Sequence, residues 1–311
     1  MNGFQRIDAP IGQKGHLSCS MLGGIFRVSH RDTPYTIAQK YMGTYVEEPT
    51  HESKESMAMG HAFEDTIARF YADKIGVHIR KQFLAYCRSD MPWFVCHPDR
   101  LVDERIDGKK VAFEVKFVSP FASGDWGEED TDQIPDPYLL QCQGYFFCGV
   151  PCDEVWVIRM MGNRIRRFIV TPDDFLQKQI MERVTALHDL LEAGKMPEPS
   201  TPAEFLARHP QDNGQSTVAD AKIIDLLGER ATLAQEKKKV EERMDAIDME
   251  VRNALADYQI LVDEEGKTLA TCKSQSTSRF DSKRFKADYP GMYERYLSTS
   301  DSRVLRYARA K

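Results

Sequence analysis

No run of about 18 apolar residues occurs in this sequence, so no membrane-spanning helix is expected. The first residues lack a basic stretch followed by an apolar core, and a secretory leader is not expected either. The seven cysteines include no CxxC pair and are scattered through segments that read as strands and helices. That usage excludes a small disulfide scaffold and points to a reducing cytoplasm. An excess of positive charge is also missing. Against 48 Asp and Glu stand 42 Lys and Arg, leaving a net charge of -6 and a pI near 5.8. A protein that coats nucleic acid by bulk phosphate neutralisation is thereby excluded, and any such contact must be local. What is present is ordinary globular material. With 41% apolar residues, the 311-residue chain can bury a core and carry one large α/β domain plus an appendage.

Residues 1–20 read as an irregular leading segment. Ile37 and Tyr41 suggest a helix over 33–45 entered through Pro34, followed by a polar loop to about residue 53. A second helix is predicted over 58–75, with Phe63, Ile67, Phe70 and Tyr71 at helical spacing and Gly76 as its stop. Strand-like runs follow over 82–88, 93–102 and 111–118, the last two joined by a turn at Asp107-Gly108, and are expected as an antiparallel meander. A helix over 136–148, two strands over 154–160 and 164–170 around Gly162-Asn163, and an amphipathic helix over 173–194 complete a first domain, expected to span 1–198. The Pro-rich stretch 196–210 marks its edge, with 199–221 as linker. Beyond it, 222–311 changes character. Apolar residues from Ile223 to Val251 recur at 3-4 spacing over 223–254, interrupted by Arg230 and Lys237, which suggests a long helix, short coiled coil or helical hairpin. Strands over 259–262 and 268–273 around Glu265-Gly266 lead into a basic, aromatic end with Arg279, Lys283, Arg284, Lys286 and Tyr289.

The chemistry concentrates in Cys96-His97-Pro98-Asp99 and Phe113-Glu114-Val115-Lys116. Alternation along a strand puts Glu114 and Lys116 on one side and Val115 on the other. If the preceding strand pairs with this one, Asp99 lies near Glu114, and two hard carboxylates can hold Mg²⁺ or Mn²⁺, with the Val115 carbonyl as a further oxygen. Phosphodiester hydrolysis needs an activated water, a neutralised non-bridging oxygen and a stabilised leaving alkoxide, which such metals supply. Lys116 completes the set by orienting the water or offsetting charge, with electrostatic stabilisation its first expected role. As a structural alternative, Glu-x-Lys is an ordinary ion pair on an exposed strand. Two helices flank the motif. In the run Met59 to Glu64, Gly60 permits close approach of backbone or DNA and Glu64 can reach the metal directly or through water. In Tyr138-Leu139-Leu140-Gln141-Cys142-Gln143, Tyr138 and Gln141 share a face, and the Gln141 amide can hold a water or phosphate oxygen. Gln143 points elsewhere.

The order Gly-x-x-x-Glu, Pro-Asp, Glu-x-Lys, Gln-x-Gln resembles the YqaJ-type viral recombinases, the phage lambda exonuclease-like nucleases, over about residues 18–196. That resemblance implies an α/β, restriction-endonuclease-like core, a central mixed sheet flanked by helices, here with a C-terminal long-helix extension and a small β-containing tail. It also implies a Mg²⁺-dependent exonuclease that degrades linear double-stranded DNA from 5′ ends and leaves 3′ overhangs for a single-strand annealing partner. By position, Asp99 and Glu114 become metal ligands, Lys116 catalytic, Glu64 supporting and Gln141 water-positioning. Ser18 and Ser20, with Lys14 and Tyr138, become phosphate or DNA contacts. A ring-like homo-oligomer and a bacterial host cytoplasm, with a phage or prophage origin, follow from the same likeness. Two departures stand out: Arg100 occupies the family's usual glycine after Pro-Asp, and Gln13 beside Lys14 replaces an arginine of the phosphate grip.

Two other readings compete. One is a structure-specific or nicking endonuclease on the same scaffold. The other is a catalytically inactive DNA-binding or assembly protein acting through its C-terminal helix. The cysteine spacing does not suit an iron-sulfur cluster, and Cys19, Cys142, Cys148 and Cys152 are expected as buried thiols. His61 and His97 lack a partner histidine at zinc spacing and are expected near the phosphate path or in packing.

Overall fold

The computed structural model describes residues 3–10, 12–45, 51–298 and 302–308, and the chain divides into two compact units, Met1–Arg208 and His209–Lys311. In the first unit the elements run in order: β1 (Phe4–Ile7), β2 (Leu17–Ser18), α1 (Leu22–Ile25), α2 (Pro34–Met42), α3 (His51–Ile75), β3 (Ile79–Arg80), β4 (Ala85–Arg88), β5 (Met91–Cys96), β6 (Arg100–Val102) and β7 (Val111–Val118). Then follow α4 (Asp136–Phe147), β8 (Glu154–Met161), β9 (Arg164–Val170), α5 (Asp174–Glu192) and α6 (Pro202–Arg208). The strands form a five-stranded mixed sheet in the order β3-β6-β7-β8-β9 and a four-stranded sheet in the order β1-β4-β5-β2. The fold class is the expected α/β arrangement of mixed sheet and flanking helices.

β7 is the axis of this unit. It pairs antiparallel with β6 and parallel with β8 along its whole length, from Val111 opposite Glu154 to Val118 opposite Met161. Val111, Phe113 and Val115 face α3, where they join Ile67, Ala68, Tyr71, Trp156 and Ile158 in one apolar cluster. Ala112 and Val118 face the other way, into the main core with Leu140, Tyr145, Val157 and Phe168. Glu114 and Lys116 therefore emerge on the α4 side. Phe70, assigned to the buried stripe of its helix, is instead 59% exposed. A stripe centred on Ile67 and Tyr71 is enough to dock α3.

Local sequence explains the element ends. α2 opens with a reciprocal cap between Thr33 and Thr36 and with Pro34 at its first position, a cap worth about 1 kcal/mol. It closes on Gly43 at φ +69. Asp107 and Gly108, at φ +49 and +80, form the tight turn before β7.

Several boundaries depart from the sequence expectation. The run 93–102 is not one strand. It breaks at His97-Pro98-Asp99, so β5 belongs to the four-stranded sheet and β6 to the five-stranded one, and no single meander forms. A proline has no N–H for a ladder and favours such a break. The helix expected from residue 58 begins at His51, which shortens the polar loop; residues 46–50 of that loop lie outside the described residues. Within the leading segment, β1 pairs antiparallel with β4. Part of the stretch expected as linker, α6, caps the first unit: Glu204 accepts a hydrogen bond from Thr33 Oγ1 at 2.6 Å.

Three thiols that lie far apart in sequence meet in the core. The sulfur atoms of Cys19, Cys96 and Cys148 lie within 4.8 Å of one another, all buried. Gly144 makes room for them, since a Cβ there would stand 2.6 Å from the Cys19 sulfur. No helix is long and apolar enough to cross a membrane.

The second unit contains α7 (Ala221–Leu255), β10 (Ile260–Val262), β11 (Thr268–Thr271), α8 (Ser282–Asp288) and α9 (Pro290–Arg295). α7 is one continuous 35-residue helix capped by Asp220, not a hairpin. Arg230 and Lys237 interrupt the apolar pattern but leave the helical backbone intact, because both are good helix formers. The strands pair as an antiparallel hairpin. The basic end, for which no element was predicted, carries α8 and α9.

Candidate active site

Three segments converge on the site. The residue before β6 supplies Asp99, β7 supplies Glu114 and Lys116, and α4 supplies Tyr138, Gln141 and Tyr145. The α4 residues share a face because they lie three and four apart. Asp99 Oδ2 accepts a hydrogen bond from the Val115 N–H at 2.7 Å, which clamps the acid to the strand bearing the other groups. Val115 thus enters the site through its N–H, whereas the sequence reading gave a role to its carbonyl.

Glu114 is only 2% exposed, and a buried carboxylate demands hydrogen-bond donors. Its Oε1 accepts from Lys116 Nζ at 2.5 Å and from Gln141 Nε2 at 2.8 Å, and its Oε2 accepts from the Tyr145 hydroxyl. Lys116 Nζ also donates to Gln141 Oε1 at 3.2 Å and lies 4.7 Å from the centre of the Tyr138 ring. Asp99, Glu114, Lys116 and Gln141 therefore form one connected group, with Tyr138 as a wall beside the ammonium.

The charges are unevenly balanced. Burial, reinforced by the charges of Glu114 and Glu64, pushes the Asp99 carboxyl well above the ordinary carboxylate range. Burial alone would lower the Lys116 ammonium, but Glu114 and Asp99 outweigh it and hold that group above its ordinary value. Held so by these acids, the Lys116 ammonium is suited to charge neutralisation and hydrogen-bond donation.

A hard divalent cation fits this donor set. A carboxylate offers about four lone-pair positions. Glu114 uses three and Asp99 one, so both retain acceptor capacity toward the space they share. The Asp99 carboxyl is raised first by burial and then by the charges of Glu114 and Glu64, and a cation beside these acids would offset those charges. Glu64 is engaged elsewhere. Its Oε1 accepts from Arg100 Nη1 at 2.9 Å, while Arg100 Nη2 reaches Asp65 at 2.8 Å and Nη1 also donates to the Asp99 carbonyl at 2.5 Å. Arg100, 3% exposed, thereby joins α3 to the backbone beside Asp99. Among the described residues, the three thiols are the one group of three metal-ligating side chains gathered within 4.8 Å; Asp99, Glu114 and Glu64 are not so gathered.

The remaining sequence candidates scatter. Ser18 and Ser20 hydrogen-bond each other at 2.9 Å, with Ser18 paired alongside Val95 of β5. Lys14 is exposed, and its side chain passes within 3.2 Å of where a Gly43 Cβ would stand. Around Gly60, expected to permit a close approach, no protein atom lies within 4 Å of an added Cβ. His97 turns its ring to the Ala9 carbonyl, 2.8 Å away, and His61 is exposed. Gln143 points away from the site, bonding Thr171 and Asp173. Sequence reasoning missed Tyr145, one turn after Gln141 and recognisable by that spacing alone. It also passed over Arg159, a charge in the middle of an apolar strand.

Residues 13–149 match the family model of the YqaJ-like viral recombinase domain. The resemblance read from the Pro-Asp and Glu-x-Lys motifs is borne out over that span, and the matched residues include Asp99, Glu114, Lys116, Gln141 and Tyr145. No curated protein matches the sequence. Among solved structures, the chain is similar to an alkaline exonuclease, LHK-Exo, from Laribacter hongkongensis, at 16% identity and a TM-score of 0.45, over 62% of this chain and 92% of that one. The complex of LHK-Exo with dAMP gives the same identity and coverage with a TM-score of 0.46.

Proposed function

We propose that this nuclease is a Mg²⁺-dependent exonuclease that hydrolyses linear double-stranded DNA in the 5′ to 3′ direction. Its products are 3′ overhangs for a single-strand annealing partner in the cytoplasm of a bacterial host. The observation that carries the reading is the single hydrogen-bonded group in which Lys116 lies between Glu114 and Gln141, with Asp99 fixed to the same strand. Asp99 and Glu114 would hold the divalent ion, Mn²⁺ serving as substitute, and that ion supplies an activated water and charge neutralisation at the phosphate.

The chain's own residues do the rest. Lys116, held protonated by its two acidic neighbours, donates to a non-bridging phosphate oxygen as negative charge grows there. Gln141 fixes the Lys116 ammonium through its carbonyl and Glu114 through its amide, and so sets the approach of the attacking water. Tyr145 holds Glu114 from the opposite oxygen, and Tyr138 shields the ammonium from bulk water. Glu64, which pairs with Arg100, would support the divalent ion as a second-rank acid, through water. Ser18, Ser20, Lys14 and Tyr138 are assigned to strand contacts on the way to the centre.

Digestion of duplexes labelled at either end, with and without a 5′-phosphate, tests the reading. Nucleotide release from 5′ ends in Mg²⁺, none in EDTA and none from Lys116→Ala is the expected result. Release of nothing from any linear DNA with Mg²⁺ or Mn²⁺ removes the catalytic reading. Cleavage of closed circular DNA replaces the exonuclease by the endonuclease alternative. The inactive-assembly reading lacks a reason for the complete acid-acid-lysine set.

A further inference from the structure

The five-stranded sheet continues past the catalytic lysine. In the β7-β8 register Lys116 stands opposite Arg159, and in the β8-β9 register Arg159 stands opposite Arg166. Residues directly opposite one another share a face of a sheet, so Lys116, Arg159 and Arg166 form a row of cations on the α4 side. Adjacent strands lie about 4.8 Å apart, which places Arg166 about 10 Å from the lysine in backbone terms. Arg164 lies two residues from Arg166, on the same face.

Arg159, Arg164 and Arg166 line a pocket of about 220 Å³ with Trp126 and Met161. Arg159 is 5% exposed, and its Nε is the one buried side-chain nitrogen or oxygen among the described residues without a hydrogen-bond partner. Its guanidinium packs 5.0 Å from the centre of the Trp126 ring and 5.3 Å from that of Phe168. A buried guanidinium with an unused donor, facing two further arginines, is poor design for a closed core. The nearby acids answer it only in part: Glu129 favours its charge from a distance, but no acid forms an ion pair with it among the described residues. Asp130 pairs with Arg167 at 2.6 Å, and Glu129 accepts from the Arg167 N–H. Arg164 and Arg166 form no ion pair among the described residues. Trp126 meets Tyr138 at 5.7 Å, and Tyr138 lies against Lys116, so the pocket and the candidate active site share one aromatic wall. At about 30 Å³ per water, the space admits a phosphate group with some hydration but is smaller than pockets for whole drug-sized ligands, about 300 Å³ upward.

We propose that Arg159, Arg164 and Arg166 form a phosphate-binding pocket that grips the DNA strand beside the bond presented to Lys116. The inference rests on the nuclease reading and adds three arginines that lie outside residues 13–149. The ligand chemistry is a phosphate, either the monoester at a 5′ end or a diester within the strand. Forked guanidinium groups suit both.

The test uses the full-length protein in EDTA and a fluorescein-labelled 20-base-pair duplex, read by anisotropy across a salt series. Arg166→Gln, partly exposed and safe for folding, and Arg159→Gln are compared with wild type, with thermal melting as the check on folding. We expect the dissociation constant to rise about five- to tenfold for Arg166→Gln and the salt slope to fall by about one. A larger loss is expected for Arg159→Gln. A loss confined to 5′-phosphorylated duplex assigns the pocket to the terminal phosphate, and an equal loss on 5′-hydroxyl duplex assigns it to an internal one. Wild-type affinity and slope in Arg166→Gln and in an Arg164→Gln/Arg166→Gln double variant overturn the proposal even if Arg159→Gln fails to fold. Hydrolysis in Mg²⁺ is measured in parallel. Normal cleavage with unchanged binding in the variants removes the pocket and leaves the nuclease. A wild type that neither binds nor cleaves DNA removes both.

Discussion

The two units of this chain use apolar residues in opposite ways. In the first, Phe94, Phe113, Phe168, Ile158 and Tyr145 are wholly buried, and a carboxylate, Glu114, is buried among them with donors on both its oxygens. In the second, Ile223, Leu226, Leu233, Val240, Met244 and Ile247 stand 43% to 60% exposed along α7, and Leu255 is its one buried residue. Tertiary packing normally supplies most of a helix's stability. α7 relies on propensity, its Asp220 cap and surface pairs such as Lys237 with Glu241 and Lys238 with Glu242. A precise site can be built only in the first kind of material, because close packing is what holds side chains to a fraction of an ångström.

The largest effect that tests this contrast is chemical. Lys116→Ala should lower DNA hydrolysis by at least about a thousandfold, in line with the loss of one preorganised electrostatic group, while circular dichroism shows both units still folded. Retention of full hydrolysis would break the link between packing precision and catalysis.

A second test compares two glycines. In Gly144→Ala the new methyl meets the Cys19 sulfur at 2.6 Å and its Cβ at 2.9 Å. We expect a loss of about 1–3 kcal/mol, read by urea denaturation. A neutral outcome would mean that the thiol cluster is less tightly packed than its distances indicate.

Asp99→Asn supplies a pH signature. The folded protein holds the Asp99 proton more tightly than the unfolded chain, since burial and then Glu114 and Glu64 raise that carboxyl. From the ordinary carboxylate value near 4 upward to the raised one, the native state binds more protons, so metal-free stability falls as pH rises through that window. Melting temperatures in EDTA should show this fall in wild type and a smaller one in Asp99→Asn, and Mg²⁺ should restore wild type alone. Parallel pH profiles for the two proteins would dismiss the account.

The smallest effect belongs to α7. Gly228 has open space around an added Cβ, so Gly228→Ala should stabilise the second unit by about 0.5–1 kcal/mol, seen as slower amide exchange along α7. Destabilisation there would reveal that this face is already in use.

Much of this organisation was legible from periodicity. β7 and β9 fall on the predicted residues, and Gly76, Gly108 and Gly162 adopt the positive φ that their turn positions imply. Glu114, Lys116, Gln141 and Asp99 come together because strand and helix spacing fix two faces and one hairpin fixes their distance. What periodicity does not encode is pairing across the chain. Nothing local shows that β5 and β6 join different sheets, that Cys19 finds Cys148 at 3.9 Å, or that Arg100 spends its charge on Glu64 and Asp65. Arg159 escaped notice for the same reason, since its meaning comes from Arg166 and Lys116 on neighbouring strands.

The break at His97-Pro98-Asp99 makes the site a joint between two sheets. Glu114 and Lys116 are measured from one sheet, while Asp99 is delivered by a chain arriving from the other. The Val115 N–H acts as a rivet across that joint, tying Asp99 to the strand that carries the lysine and fixing the gap between the two acids. Substitutions at Phe94 or Cys96, remote from any substrate, should load that rivet before they disturb the strand that carries the lysine.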